Sequence, residues 1–123
     1  MELLTRKTLE VIERFNRAFN LHNVRGMMVE MSADCVFENT FPPPDGQVIR
    51  GQEEVELFWK VFFQKAPHAR LDFEEIFACG ERGVVRWVYR WGQSGDDRDH
   101  VRGVDVFRLI NGKIAEKLSY VKG

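Results

Sequence analysis

The hydrophobic pattern of this chain changes from mostly helical to alternating near residue 70, and this change limits the possible folds more than any other feature. Before residue 70, apart from a short strand-like segment at residues 35–39, apolar side chains recur at helical spacing on one side of each segment. After it, apolar and polar residues alternate, as they do in strands that bury one face. A chain of helices followed by strands predicts an α+β fold, with the helices on one face of a curved, largely antiparallel sheet.

Three helices are predicted in the first part of the chain. The first carries a stripe of apolar or small residues from Thr8, with Thr5 available as its N-cap. Asn23 can cap a short second helix. The third follows Gly51, has the broadest apolar face, and ends before Pro67.

Five strands are predicted from the alternating segments and from the turn signals between them. The first covers residues 35–39 and stops at the proline-rich run 42–46, which cannot supply the donors of a sheet ladder. The others cover residues 70–77, 84–91, 100–109 and 113–121. Turns are expected at residues 80–83, in a loop at 92–99, and at the dipeptide Asn111-Gly112, which is typical of hairpins.

Size and charge narrow the class of protein. The 123 residues suit one domain, residues 1–123, and the 18 basic residues nearly balance the 19 acidic ones. Without a basic surplus or a Lys/Arg-rich run, a nucleic-acid partner is not expected. No apolar run approaches the ~18 residues of a membrane span, and no secretory leader is evident, so we expect no membrane association and a cytoplasmic location.

Two segments carry a resemblance to a known superfamily. They are ADCVFENT at residues 33–40 and GVDVFRLINGKIAEKLSY at residues 103–120. Together with the order of elements, they resemble the nuclear-transport-factor-2-like superfamily, with its SnoaL-like polyketide cyclase and ketosteroid-isomerase-like branches nearest. The resemblance implies a cone-shaped, cystatin-like fold, whose sheet wraps around the first helix and encloses a cavity. Because the superfamily contains isomerases, cyclases, epoxide hydrolases, dehydratases and binding modules, the fold does not determine the function.

The resemblance also bears on site residues. The position of the proton-shuttling carboxylate of ketosteroid isomerase is matched here by Asn39, and that of its helix tyrosine by Phe15; neither can perform the original role. Asp105 matches an aspartate that resembles a general acid or base in the SnoaL-like cyclases. Isomerisation by the ketosteroid isomerase route is therefore not expected, whereas an acid/base role for Asp105 is.

The surroundings of Asp105 depend on the turn at Asn111-Gly112. Alternation places Asp105 among apolar residues on one face of its strand. A two-residue turn would put Leu118 opposite Asp105, and a three-residue turn would put Lys117 there. The family pattern favours the second turn, in which Lys117 and Ser119 share the face of Asp105 and an ion pair keeps the carboxylate charged. In the alternative, Lys117 extends to the cavity rim.

An aromatic face on the strand at residues 84–91 is the main candidate for ligand contact. Aromatic stripes are more often core, but Trp and Tyr have polar tips that can orient a flat ligand. The predicted ligand-binding residues are Phe15, Phe37, Trp59, Trp87, Tyr89, Trp91 and Ser119, and the predicted catalytic residues are Asp105, Asn39 and Lys117. The histidines lack metal-ligand spacing and no phosphate loop is present, so no metal and no cofactor are predicted.

The other face of the sheet predicts self-association. It would carry a contiguous apolar set too large for a soluble monomer, namely Val104, Val106, Ile114, Leu118 and Tyr120. We therefore expect a homodimer through the outer sheet face, with charged residues as its polar rim.

The expected function is a SnoaL-like domain that binds a small, mostly apolar cyclic or aromatic compound. In an enzyme, Asp105 would move a proton next to a carbonyl while Asn39 or Tyr89 stabilised the oxyanion. The main alternative is a non-catalytic ligand-binding or dimerisation module. A weaker alternative is an epoxide hydrolase-like enzyme, because residues 37–39 resemble the water-holding segment of limonene epoxide hydrolases.

Overall fold

A six-stranded mixed sheet, with helices on one face, forms the structure. It was obtained as a computed structural model that describes residues 2–92 and 99–123. In chain order the elements are α1 (Glu2–Asn20), α2 (Val24–Met28), β1 (Met31–Glu38), β2 (Val48–Arg50), α3 (Gln52–Lys65), β3 (Arg70–Cys79), β4 (Arg82–Arg90), β5 (His100–Ile110) and β6 (Lys113–Val121). The predicted α+β class is confirmed. Apart from its two end residues, the predicted loop at 92–99 lies outside the described residues.

The strand order is β2-β1-β6-β5-β4-β3, and it explains how the helices and the meander share one sheet. Strands β3 to β6 pair with antiparallel neighbours, as the alternating pattern predicts. Strand β1 joins this meander by pairing in parallel with β6. Strand β2 was not predicted; its three residues are too few to show a period, and it pairs at the edge with β1.

Helix α1 begins earlier than predicted, and Thr5 does not cap it. The helix starts at Glu2, so Thr5 is its fourth residue and lies inside the helix. The Thr5 hydroxyl accepts a hydrogen bond from the backbone N–H of Gly80, and the Thr8 hydroxyl donates one to the carbonyl oxygen of Gly80. These two bonds fasten α1 to the turn between β3 and β4. Helix α2 is capped as predicted, with the Asn23 side chain accepting from the N–H of Gly26 at 3.0 Å.

The hairpin between β5 and β6 differs from both predicted registers. Ile110 pairs with Lys113 across a two-residue turn, in which Asn111 and Gly112 have φ of 52° and 77°. The favoured three-residue turn is therefore wrong. A bulge follows, because Leu109 pairs with Ile114 whereas Arg108 pairs with Glu116.

The extra residue in this bulge, Ala115, changes what each side chain faces. Ser119, and neither Leu118 nor Lys117, lies opposite Asp105. Ile114 and Ala115 are both buried, and Ile114 belongs to the hydrophobic core. Assigning Ile114 to the outer sheet face was therefore wrong.

The core lies between the helices and the concave side of the sheet. Its aromatic part centres on Trp59 of α3, which packs against Phe19, Phe37, Phe58, Phe62 and Phe63. No helix within the described residues is long and apolar enough to cross a bilayer.

Candidate functional site

A cavity of about 640 Å³ opens between α3 and the concave face of the sheet. Its walls are mostly apolar and aromatic, as in many sites for small organic ligands. Helix α3 contributes Phe58, Trp59 and Phe62, and the sheet contributes Phe37, Trp87 and Tyr89. The polar side chains on its wall include Asn39, Asp105, Lys117 and Ser119.

Asp105, Lys117 and Ser119 form one connected polar cluster on the cavity wall. Nζ of Lys117 lies 3.3 Å from Oδ2 of Asp105 and donates a hydrogen bond of 3.0 Å to Oγ of Ser119. Oγ of Ser119 donates in turn to Oδ1 of Asp105 at 2.6 Å. All three residues are buried, with Asp105 only 1% exposed. Each carboxylate oxygen thus receives one contact and keeps a lone pair for a further one.

Strand geometry explains how these three groups meet. Ser119 lies opposite Asp105 across β5 and β6, on the same side of the sheet. Lys117 is two residues earlier on β6 and so shares that side. Its ammonium reaches diagonally toward Asp105, and the ring centroids of Phe37 and Trp59 lie 4.5 Å and 5.5 Å from Nζ.

Burial changes the acid–base properties of the wall. It lowers the pKa of Lys117 from its usual value, although the nearby Asp105 carboxylate partly offsets this. Burial also raises the pKa of Tyr89 to about 12. Like any tyrosine hydroxyl, that of Tyr89 is protonated at neutral pH and can donate a hydrogen bond to a ligand.

Asn39 lines the cavity at the end of β1, but its hydrogen bonds hold the following segment. Its Oδ1 accepts from the backbone N–H of Gln47 at 2.6 Å, and its backbone N–H donates to the carbonyl oxygen of Gln47 at 3.0 Å. Nearby, Gly46 has φ of 70°, and a Cβ there would collide with the Asn39 carbonyl oxygen. Asn39 thus fastens the turn between β1 and β2.

Two predicted ligand-binding residues do not line the cavity. Phe15 is fully buried and packs edge-on against Phe107, with ring centroids 6.1 Å apart. Phe19, one helical turn later, reaches the cavity instead. Trp91 follows the end of β4, is 40% exposed and is not part of the cavity wall.

The other predicted ligand-binding residues, Phe37, Trp59, Trp87, Tyr89 and Ser119, all lie on the wall. The prediction missed Phe19, Phe58 and Phe62. The signal for the last two was the breadth of the apolar face of α3, which is wider than packing of one helix face requires.

Within residues 2–92 and 99–123, no group of three or more His, Cys, Asp or Glu side chains is arranged to hold a metal ion. His100 starts β5 and is not part of the cavity wall.

The sequence and the fold of this chain are similar to those of known proteins. A model of the SnoaL-like domain matches residues 12–117. The crystal structure of a nuclear-transport-factor-2-like protein of unknown function from Mesorhizobium loti is 36% identical, with a TM-score of 0.83 over 97% of this chain and 93% of that one. No protein of curated function matches the sequence.

Two more distant structures share the fold. A candidate ketosteroid isomerase from Kribbella flavida is 15% identical, with a TM-score of 0.79 over 97% of this chain and 80% of that one. A candidate polyketide cyclase from Sinorhizobium meliloti is 16% identical, with a TM-score of 0.76 over 90% of this chain and 94% of that one.

Proposed function

Since this chain belongs to the SnoaL-like domain family of nuclear-transport-factor-2-like proteins, we propose that its cavity binds a small, mostly apolar cyclic or aromatic compound. In this proposal Asp105 acts on that compound as a general base and acid. The candidate ketosteroid isomerase and the candidate polyketide cyclase support this proposal only through the shared fold.

The observation that carries the proposal is a buried ion pair in an otherwise apolar cavity. Lys117 and Asp105 are 5% and 1% exposed, so both charges have lost most of their hydration. Replacing a buried ion pair with well-packed apolar residues is often neutral or stabilising. Stability alone therefore gives little reason for these charges, whereas proton transfer to a bound ligand gives a direct one.

The chemistry follows from the groups on the wall. A carboxylate oxygen of Asp105 removes a proton from a carbon next to a ligand carbonyl, and the electrons of the broken C–H bond form an enolate. Tyr89 is the donor that stabilises the enolate oxygen, since its protonated hydroxyl belongs to a residue of the same wall. Lys117 and Ser119 hold Asp105 in position. Asp105 then returns the proton to another atom of the ligand.

Exchange of ligand protons with solvent tests this without a known substrate. The probe is 2-tetralone, a cyclic aromatic ketone, dissolved in D₂O with the protein and followed by proton NMR. We expect the wild type to accelerate α-proton exchange and Asp105→Asn to lose about 10²- to 10⁴-fold of that acceleration, the usual contribution of one general base. Asp34→Asn changes an exposed carboxylate of β1 and should behave as wild type.

A non-catalytic binding module is the second candidate. The observation that favours it is the mutual satisfaction of Asp105, Lys117 and Ser119, which needs no ligand. Line broadening of 2-tetralone on binding, without faster exchange, would support this candidate over the enzyme. The epoxide hydrolase-like alternative gains no support, because no arginine is among the described residues that line the cavity.

A further inference from the structure

We propose that Lys117 is also a nucleophilic amine, which captures carbonyl compounds held in the cavity as a covalent imine. The inference rests on the proposed function in one respect, that a carbonyl compound binds in the cavity. It goes further in assigning Lys117 a bond-forming role in addition to that of a counter-ion.

Lys117 differs from the other lysines in being buried. Lys117 is 5% exposed and belongs to the cavity wall. The remaining lysines are exposed, namely Lys7, Lys60, Lys65, Lys113 and Lys122. One of these, Lys65, lines the cavity from α3 but stays in contact with solvent. A carbonyl ligand inside the cavity therefore meets one desolvated amine and one hydrated amine.

An amine must be neutral to attack a carbonyl, and the cluster provides for this. Desolvation in an apolar site disfavours the ammonium form, which is the usual way in which lysine becomes a nucleophile. Asp105 opposes this effect through its charge but also offers an acceptor for the proton, since its Oδ2 lies 3.3 Å from Nζ. Transfer of that proton converts a buried ion pair into two neutral groups, a form that desolvation favours.

Formation of the imine needs only Lys117 and Asp105 as proton donors and acceptors. The ammonium of Lys117 gives one proton to the Asp105 carboxylate, and the free lone pair of Nζ attacks the carbonyl carbon. A C–N bond forms while the C=O π electrons move to oxygen, and transfer of a second nitrogen proton gives a neutral carbinolamine. The Asp105 carboxylic acid then protonates the hydroxyl group, water leaves, and a protonated imine remains opposite the restored carboxylate. The net change is ammonium plus carbonyl giving iminium plus water.

Reductive trapping provides the test. The protein is incubated with 6-methoxy-2-naphthaldehyde and sodium cyanoborohydride, which reduces an imine to a stable amine, and peptide mass mapping locates the adduct. Burial lowers the pKa of Lys117 and so raises the fraction of this amine that is neutral. We therefore expect Lys117 to be modified faster than any exposed lysine, Lys65 included.

Two variants and one binding measurement make the test decisive. Lys117→Arg keeps the positive charge beside Asp105 but cannot form an imine, and it should abolish the internal adduct. Lys60→Met, which changes an exposed lysine of α3 outside the cavity wall, should leave it unchanged. Binding of the aldehyde is measured separately by quenching of tryptophan fluorescence.

The outcomes separate the two proposals. Quenching without an adduct at Lys117 overturns the imine proposal and leaves ligand binding intact. Absence of quenching in the wild type contradicts both proposals. Equal labelling of Lys117 and Lys65 overturns the claim that burial activates Lys117.

Discussion

Nζ of Lys117 lies 3.3 Å from Oδ2 of Asp105, although its partner across the two strands is Phe107. The ion pair is therefore diagonal, and Ser119 occupies the position opposite Asp105. Because the Ser119 hydroxyl accepts from Lys117 and donates to Asp105, the three groups depend on one another. Removal of any one of them leaves a buried polar partner without its contact.

This dependence predicts a large coupling between Asp105 and Lys117. Lys117→Met and Asp105→Asn each remove one partner of a buried pair and should lower the free energy of unfolding by about 3–5 kcal/mol. The double variant should recover part of the summed loss, because it leaves no uncompensated charge. Urea denaturation of the four proteins measures the coupling energy.

The pair Arg108 and Glu116 serves as the control. Its atoms lie 3.2 Å apart, but both side chains remain partly exposed. Replacing either Arg108 or Glu116 alone should lower the free energy of unfolding by only about 0–1 kcal/mol. Losses of similar size for both pairs would mean that Asp105 and Lys117 are not buried together in solution.

The lowered pKa of Lys117 predicts a pH dependence of stability. Between the folded pKa and the unfolded value of about 10.4, the unfolded chain holds more protons at this site than the folded chain does. The Lys117 contribution to stability therefore rises with pH in that window, by at most about 1.4 kcal/mol per pH unit. The wild type should gain stability relative to Lys117→Met as the pH approaches 10.

The raised pKa of Tyr89 also makes stability depend on pH, but it does not affect this comparison. Its folded pKa of about 12 exceeds the usual tyrosine value, so its contribution to stability falls as the pH rises above about 10. Both proteins retain Tyr89, and the difference between them cancels this effect. If the difference in free energy of unfolding between the wild type and Lys117→Met did not change between pH 7 and 10, burial of Lys117 would be contradicted.

Gly103 is expected to set the shape of the cavity wall. A Cβ at this position would lie 2.6 Å from the Trp87 ring and would also collide with the Tyr120 carbonyl oxygen. Gly103→Ala should therefore cost about 1–3 kcal/mol through overpacking and displace Trp87. Adding Trp87→Leu should restore only part of this loss, because the collision with the backbone remains. Thermal unfolding measures both changes, and an unchanged midpoint for Gly103→Ala would contradict the close approach.

Self-association through the outer sheet face remains a prediction, now without Ile114. Tyr120 is 51% exposed on that face, beside the half-buried Val104, Val106 and Leu118. Tyr120→Glu should convert a dimer into a monomer in sedimentation experiments at micromolar concentration. Leu21→Glu alters a side chain that is 71% exposed at the end of α1 and should leave the dimer intact. A monomeric wild type would contradict the prediction.

Residue periodicity predicted the fold class and the side of the sheet that Asp105, Lys117 and Ser119 share, but it did not predict the register. A two-residue turn alone would have turned Lys117 away from Asp105. The bulge at Ala115 adds one residue, and an extra residue in the strand restores the same parity as an extra residue in the turn. For this reason an incorrect turn still placed Lys117 and Ser119 on the correct face. No local pattern distinguishes the two cases.

The sequence also could not predict which side chains of an apolar stripe reach the cavity. Phe15 and Phe19 belong to the same apolar stripe of α1, and their spacing reveals which side they face but not which one meets the cavity. Likewise, strict alternation extended the inner face of β4 to Trp91, whereas the strand ends at Arg90 and the ring lies outside. Both differences depend on the position of an element relative to its neighbours, and tertiary packing determines that position.

A crystal structure of the protein with 2-tetralone tests most directly whether Asp105 is the base. We expect the ketone to lie in the cavity with its α-carbon within about 3.2 Å of an Asp105 carboxylate oxygen, or linked to it by one water, and with its oxygen facing the Tyr89 hydroxyl. A ketone bound elsewhere in the cavity, beyond the reach of Asp105, would contradict the central claim that this carboxylate is the base.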